Sequence, residues 1–415
     1  IRHHALEGDP ESDSRLLLGG FRLSFHSAGR SDKASATRWV ISIETLSKSS
    51  KSDRHARARH AAAMAEQSST KDEAKTPFTI ITGFLGAGKT TLINYILTEQ
   101  RDKRICVIEN EFGEINIDEK LVSANMASKE DLIQMDNGCA CCSIRGDLVR
   151  TLGGLVEKRQ QFDAVMLETT GLADPAPIIA TLKSNQWIDD NFAIDAVVCL
   201  ASAKHVKAHL EEQKPDGAVN EAVQQVAFSD KILLNKVDLV TPDELTAIRK
   251  DIRKINHFAE VIECERSRVD LKKIIGINSF DIEKCIDLDP VLFKKTEGSE
   301  EPTSGKVHDL SMVSSCGISV EGFLDVPKFN IFMAELLQTR AADLYRSKGV
   351  LSFAGQGDQK FVFQGVHEQI DFGPAQTQWQ KGERRVSKIV FIGRNLDRKF
   401  LTEKIESCLV PGATE

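Results

Sequence analysis

The chain has 415 residues and a formal net charge of −7, from 54 Lys and Arg against 61 Asp and Glu. That length accommodates two domains, and the acidic balance argues against a nucleic-acid surface as its main business. No apolar run approaches the ~18 residues that a spanning helix needs, so no membrane partner is expected.

Residues Ile1 to about Lys75 show little periodicity and are rich in Ser, Arg, His and Ala, with no Met at position 1. Met64 opens MAEQSSTKDEAKTPF, which reads as a natural start. Residues 1–75 are therefore expected to be a disordered extension, or upstream sequence carried along. A transit peptide is basic and poor in acids; Glu7, Asp9, Glu11 and Asp13 weigh against one without removing organelle targeting.

The first strand is expected at Phe78 to Thr82 (FTIIT), a β-branched apolar run. GFLGAGKT follows, from Gly83 to Thr90, and fits G-x-x-x-x-G-K-[ST]. The helix after it carries apolar residues at Leu92, Ile93, Ile96 and Leu97, so strand, glycine loop and helix stand in the required order. Gly83, Phe84, Leu85, Gly86, Ala87 and Gly88 would wrap backbone N–H groups around phosphate, aided by the helix N-terminus at Lys89, Thr90 and Thr91. Lys89 would reach the β- and γ-phosphates, and the Thr90 hydroxyl would ligate Mg²⁺.

Further on, FDAVMLETTG reads as a buried strand, Val165 to Leu167, ending in a carboxylate at Glu168. That carboxylate can hold Mg²⁺ through a water, and Gly171 lets backbone approach the γ-phosphate, so Glu168 to Gly171 reads as a switch. Glu168 and Glu111 are the candidates for orienting the attacking water. DKILLNKVDLV gives another strand, Ile232 to Leu234, ending in Asn235, Lys236, Val237 and Asp238. A carboxylate at Asp238 accepts from the guanine N1 and exocyclic amine, a donor pair that adenine lacks, so GTP is the expected nucleotide.

Between phosphate loop and switch stand Cys139, Cys141 and Cys142, in NGCACCSIRGDL. Three thiolates suit a borderline-soft cation, and an open fourth position suits transfer rather than a closed structural site. Water, Glu111 and Glu114 are the candidates for the fourth ligand. The other six cysteines are scattered singly, usage that points to a reducing compartment and a cytoplasmic location. Cys106, Cys199, Cys264 and Cys316 read as core residues. His205 and His209 stand four apart, on one helical face that is expected to be solvated.

GFLGAGKTT, ENEFGEINID (Glu109 to Asp118), NGCACCSIRGDL, ETTGLADP (Glu168 to Pro175) and NKVD together resemble the CobW-type metallochaperone GTPases. The resemblance is closest to the eukaryotic zinc-regulated GTPase metalloprotein activators and covers roughly Thr76 to the C-terminus. It implies a GTPase that loads a metal, usually zinc, into a client metalloprotein, with Zn²⁺ on Cys139, Cys141 and Cys142. It also implies that Cys142, Ser143, Ile144, Arg145 and Gly146 border the nucleotide, so one segment would touch both ligands. A homo-oligomer is compatible with it. The Pro-x-Leu-Val-Pro client-docking motif of eukaryotic members is not found near the N-terminus, and the resemblance does not name the client.

From Phe78 to about Lys294, apolar strands such as ICVIEN, IDAVVCLA and AEVIEC alternate with helical runs. The expected fold is α/β: a doubly wound P-loop GTPase sheet over residues 76–295, with ligand chemistry at the strand C-terminal ends. A polar linker is expected at 296–306, within KKTEGSEEPTSGK. A smaller α+β domain of the CobW C-terminal type follows over 307–415. Its expected elements are a strand in SMVSSCGISV, a helix from Asn330 to Ser347, strands near Leu351, Phe361 and Ile389, and a helix from Asp397 to Cys408. A GTP-hydrolysing zinc metallochaperone is thus the first reading. The rival is a regulatory GTPase whose cysteines sense metal or redox state without delivery. A small-molecule kinase is disfavoured, because NKVD reads guanine.

Overall fold

The computed structural model describes residues 15–18, 21–27, 39–45, 75–100, 103–109, 132–134, 142–156, 162–212, 214, 220–280 and 313–412. The chain divides into two compact units, 1–75 and 76–415. In the first, strands β1 (Arg15–Leu18), β2 (Phe21–Ser27) and β3 (Trp39–Thr45) pair antiparallel in chain order.

The second unit opens with a seven-stranded sheet, all of whose pairings are parallel. Its strands are β4 (Thr76–Gly83), β5 (Ile105–Glu109), β6 (Leu132–Gln134), β7 (Ala164–Glu168), β8 (Phe192–Ser202), β9 (Lys231–Asn235) and β10 (Glu260–Cys264). Their spatial order is β10-β9-β8-β4-β7-β5-β6. β4 lies in the middle, so the loop that leaves it sits where the strand order turns back, the usual place for a ligand crevice.

Strands buried on both faces should be mainly apolar runs rather than alternating, and β4, β7, β8 and β9 are. Ile80, Val197 and Cys199 face one core cluster, while Ile81, Val198 and Leu200 face the other. Helix α1 (Lys89–Glu99) covers the second face with Leu92, Ile93 and Ile96. On the first face lie α2 (Cys142–Val156), α3 (Ala176–Ser184), α4 (Gln186–Asn191), α5 (Val206–Leu210), α6 (Glu221–Phe228) and α7 (Pro242–Ile255). Local chemistry sets the α7 start: Pro242 follows Thr241, whose hydroxyl and the Glu244 carboxylate form a reciprocal capping box.

The remaining elements are β11 (Val313–Glu321), α8 (Val326–Arg340), β12 (Leu344–Leu351), β13 (Gln359–Val366), β14 (Gln369–Gln378), β15 (Val386–Arg394) and α9 (Arg398–Glu406). Here the strands run antiparallel in the order β14-β13-β12-β15-β11. The protein is thus an α/β P-loop sheet followed by a separate antiparallel sheet with helices, as the sequence implied. Val313, Tyr345, Val366 and Ile392 of that second sheet join the core cluster of the first.

Two expectations for this region are corrected. The helix stops at Arg340 rather than Ser347, because Leu344 to Leu351 pair with both β13 and β15 and are buried throughout. Strand β14 was missed, since Asp371, Gly373 and Pro374 are poor strand formers. The linker expected at 296–306 lies outside the described residues. Among the described residues no helix is long and apolar enough to cross a membrane.

Candidate functional site

Strand β4 delivers the chain into the glycine loop, and each glycine answers a steric demand. Gly83, Gly86 and Gly88 have φ of 136°, 71° and 109°, a region that costs little only for glycine. A Cβ at Gly83 would also lie 2.2 Å from the Leu200 carbonyl oxygen. Gly88 is the N-cap of α1 and offers no side chain to the helix, leaving the first N–H groups for another acceptor. Lys89 is 92 % buried, at 8 % exposure, and its Nζ donates to Gly83 O at 2.9 Å and Phe84 O at 3.4 Å. The only described cation inside this loop therefore points along its inner wall, while Leu85 at its tip is exposed.

Next to it, Thr90 Oγ1 donates to Glu168 Oε1 at 3.3 Å. Glu168 ends β7 in register with Ile81 of β4 and Glu109 of β5. The segment that follows, the expected switch, is fastened to the β4 end: Thr169 N donates to Ile81 O at 2.9 Å and Thr169 Oγ1 to Thr82 Oγ1 at 3.1 Å. A Cβ on Gly171 would stand 2.8 Å from Leu85 N, so only glycine permits this approach of switch to phosphate loop.

The third wall comes from β9. Asn235 is buried; its Nδ2 donates to Ala87 O at 2.9 Å and to Ser267 Oγ at 3.0 Å, and its Oδ1 accepts from Ser267 N at 2.9 Å. Lys236 has φ 64° and reaches Gly86 O with Nζ at 2.9 Å. Both residues thus brace the phosphate loop. Val237 packs on the core, and Asp238 stands exposed in a 3₁₀ turn, Val237–Leu239. Thr91 is exposed on the first turn of α1.

Ser267 escaped the sequence reading. It is fully buried, its Oγ donates to Gly88 O at 3.0 Å, and it and Arg266 both hold positive φ, 57° and 50°. Non-glycine residues stay in that region only where surroundings over-determine them, a common mark of ligand-clamping turns. The signal available was its place directly after the apolar strand VIEC, where each other loop of the site also begins.

His209 also departs from expectation. Rather than facing solvent, its ring stacks on Phe84 of the phosphate loop, with centroids 3.7 Å apart and planes 29° from parallel. Burial there, and next the neighbouring His205, lower the His209 pKa. His205 approaches Ser202 Oγ at 3.2 Å through Nδ1. Cys106, Cys199, Cys264, Cys316 and Cys408 are buried. Burial pushes the Cys199 thiol up to about 12 and the Cys264 and Cys316 thiols up to about 11.

Cys139 and Cys141 lie outside the described residues, as do Glu111 and Glu114. Cys142 opens α2, and Ser143, Ile144, Arg145 and Gly146 continue its first turns; their side chains are likewise outside the description. Among the described residues no three His, Cys, Asp or Glu side chains gather as a metal site.

Two family models match the chain: the CobW/HypB/UreG nucleotide-binding domain over residues 77–263, and the cobalamin synthesis protein cobW C-terminal domain over 313–409. The zinc chaperone YjiA of Escherichia coli (strain K12) is 32% identical over 325 residues, spanning 77% of this chain and 94% of that protein. The zinc-regulated GTPase metalloprotein activator 1 of Schizosaccharomyces pombe is 27% identical over 356 residues, spanning 78% of this chain and 83% of that protein. The crystal structure of Zn(II)-bound YjiA GTPase from E. coli superimposes with a TM-score of 0.61 at 26% identity, covering 81% of this chain and all of that one.

Proposed function

The chain belongs to the CobW/HypB/UreG family of nucleotide-binding proteins, and from that premise we propose that it is a GTPase that hydrolyses GTP to deliver zinc to a client metalloprotein. The observation that carries the nucleotide half is the convergence of Thr90 Oγ1 and Glu168 Oε1, 3.3 Å apart, beside the uncapped N-terminus of α1. A hydroxyl and a carboxylate meeting beside helix N–H groups suit Mg²⁺ on a triphosphate, so the residues present fit Mg·GTP. Bound there, Mg²⁺ would supply positive charge to neutralise the triphosphate.

The chain's own groups divide the work. Backbone N–H groups of Gly86 to Thr90 hold phosphate oxygens, and the Lys89 ammonium exchanges loop carbonyls for the β- and γ-phosphates. Thr90 would ligate Mg²⁺ directly and Glu168 would hold a Mg²⁺-bound water. The Gly171 backbone approaches the γ-phosphate, and Asp238 accepts from guanine. Asn235, Lys236 and Ser267 keep the base-reading and phosphate-binding loops in one frame, which orients the nucleotide rather than touching the reacting atoms.

For the metal half, Zn²⁺ is the cargo. Cys139, Cys141 and Cys142 offer a three-thiolate donor set with room for a fourth ligand, which suits a soft, transferable cation. The curated relatives include zinc chaperones, which supports the same assignment. We read residues 76–295 as the GTPase domain and 307–415 as the C-terminal domain, joined through 296–306.

The test is zinc transfer from the loaded full chain to an apo-metalloprotein, with and without GTP. GTP-accelerated transfer is the expected result. Zinc binding and GTP hydrolysis with no transfer would instead favour a metal-sensing GTPase.

A further inference from the structure

We propose that Gln225 is a positioning residue for the switch segment, and that helix α6, which carries it, passes the grip of the C-terminal domain to that segment. The proposal rests on the reading of Glu168 to Gly171 as the switch, and gives that site a regulator within the same chain.

Residues Thr169 to Pro175 run without helix or strand between β7 and α3. Their shape is fixed from outside. The side-chain amide of Gln225 is almost fully buried at 1 % exposure, and its Nε2 donates both to Gly171 O and to Ala173 O, each at 3.1 Å. The neighbouring Gln224 donates through Nε2 to Asp174 Oδ2 at 3.1 Å, while Asp174 Oδ1 accepts from Ala176 N at 2.9 Å and so starts α3. On the opposite side the Gly171 backbone is pressed against Leu85 of the phosphate loop. The segment is therefore held between the loop that binds phosphate and one glutamine amide. Any pull on the segment either draws Gln225 along or breaks its buried hydrogen bond to Gly171 O and its partly buried one to Ala173 O, and a broken buried bond leaves a desolvated polar group. That is a choice between two discrete arrangements, the physical requirement for a switch.

One turn further, α6 ends in the hands of the C-terminal domain. Arg346 Nη1 donates to Phe228 O at 2.9 Å and pairs with Asp230 Oδ1 at 2.7 Å; Asp230 Oδ2 accepts from Val197 N of β8 at 2.9 Å. The Phe228 ring stacks on Tyr345 with centroids 5.3 Å apart. The same domain also holds α3, the helix at the far end of the switch: Asp371 pairs with Lys183 at 3.2 Å, and Gln369 Nε2 donates to Ala180 O at 3.4 Å. The helix that grips the switch segment and the helix that follows it are thus fastened to β12 and β14. A shift of that sheet moves Gln225 and Asp174 without touching the nucleotide.

A merely structural glutamine would satisfy the same two carbonyls, so the experiment must read nucleotide state. Full-length wild-type chain, Gln225→Glu and Asp371→Asn are compared for melting temperature, GTP kcat and KM, and affinity for GDP and a non-hydrolysable GTP analogue. Gln225→Glu replaces a double donor with an acceptor that faces two carbonyls. It is expected to lower kcat about tenfold and to change the ratio of analogue to GDP affinity about fivefold or more. Asp371→Asn lies away from the nucleotide and leaves Lys183 its other partner, Asp189, at 3.2 Å, so the variant folds. It is expected to move the same ratio at least about twofold, and the two substitutions together should be non-additive, as residues acting through one element are. A changed melting temperature with an unchanged ratio and kcat in both variants overturns the proposal. If Gln225→Glu does not fold, an unchanged ratio in Asp371→Asn alone overturns it. Wild-type chain that binds no GTP refutes the underlying nucleotide reading instead, which keeps the two failures distinct.

Discussion

Lys89 and Asp238 stand at opposite ends of the proposed nucleotide, and each makes a separable contribution. Lys89 is buried against Gly83 O and Phe84 O and fills no apolar core, so Lys89→Ala should abolish GTP hydrolysis while the protein still folds. Unchanged turnover in the purified variant would contradict the phosphate-loop assignment. Asp238→Asn removes the acceptor for guanine and supplies a donor for a xanthine carbonyl. GTP affinity should fall by about 1.5–3 kcal/mol, roughly ten- to a hundredfold, with xanthosine triphosphate gaining in a competition assay. The cysteines divide by environment. Burial holds Cys199 near 12, and Cys264 and Cys316 near 11, as unreactive thiols. At about pH 8, labelling by a thiol reagent should therefore be slow at Cys199, Cys264 and Cys316, and zinc bound as proposed should protect Cys139, Cys141 and Cys142. Fast labelling of Cys199, or a pattern indifferent to zinc, would count against the cargo site. The same burial carries a pH sign. The folded Cys199 keeps a proton that the unfolded chain gives up near 9, so stability is untouched below pH 9 and falls as pH rises from about 9 to about 12.

The meeting of loop and switch is an element-scale property, and Gly171 tests it. Alanine there would bring a Cβ to 2.8 Å from Leu85 N and 2.9 Å from Leu85 Cα, backbone atoms that yield only with a shift of the whole loop. Such overpacking costs about 1–3 kcal/mol. Gly171→Ala should cut GTP hydrolysis at least tenfold while GDP binding persists; wild-type turnover would show that switch and loop need not touch. Elements whose periodicity and punctuation agree were legible in the sequence. β4, the glycine loop and α1 follow from FTIIT, GFLGAGKT and the spacing of Leu92, Ile93 and Ile96. What pairing alone decides was not legible. β12 begins at Leu344 because two neighbours hydrogen-bond it, and β14 forms despite Pro374 because β13 lies alongside. Ser267 and Gln225 were invisible for the same reason. Their roles come from loops and carbonyls 32 and 54 residues away in sequence, and neither belongs to a local motif.

At the scale of the whole 76–415 unit, the two sheets share one core and one buried ion pair. Arg346 and Asp230 are exposed by only 2 % and 4 %, and Arg346 also lies over the Phe280 ring at 4.9 Å. Removing one partner leaves an uncompensated buried charge, so Arg346→Leu should destabilise the unit by about 3–5 kcal/mol in denaturant titration. A loss below about 1 kcal/mol would mean that the sheets are held by apolar contact alone. This shared core gives the C-terminal sheet a path to the switch, and the switch in turn follows the cysteine segment in the chain. If the γ-phosphate repositions residues Cys139 to Gly146, three thiolates cannot keep one geometry in both nucleotide states, and zinc and GTP must be linked reciprocally. The most direct test is a zinc-chelator competition titration on the full chain, run once with GDP and once with a non-hydrolysable GTP analogue. A delivery mechanism predicts zinc dissociation constants that differ by about five- to a hundred-and-fiftyfold between the two states, a difference lost when Cys139, Cys141 and Cys142 are replaced by Ser. Identical zinc dissociation constants with GDP and with the analogue would contradict it.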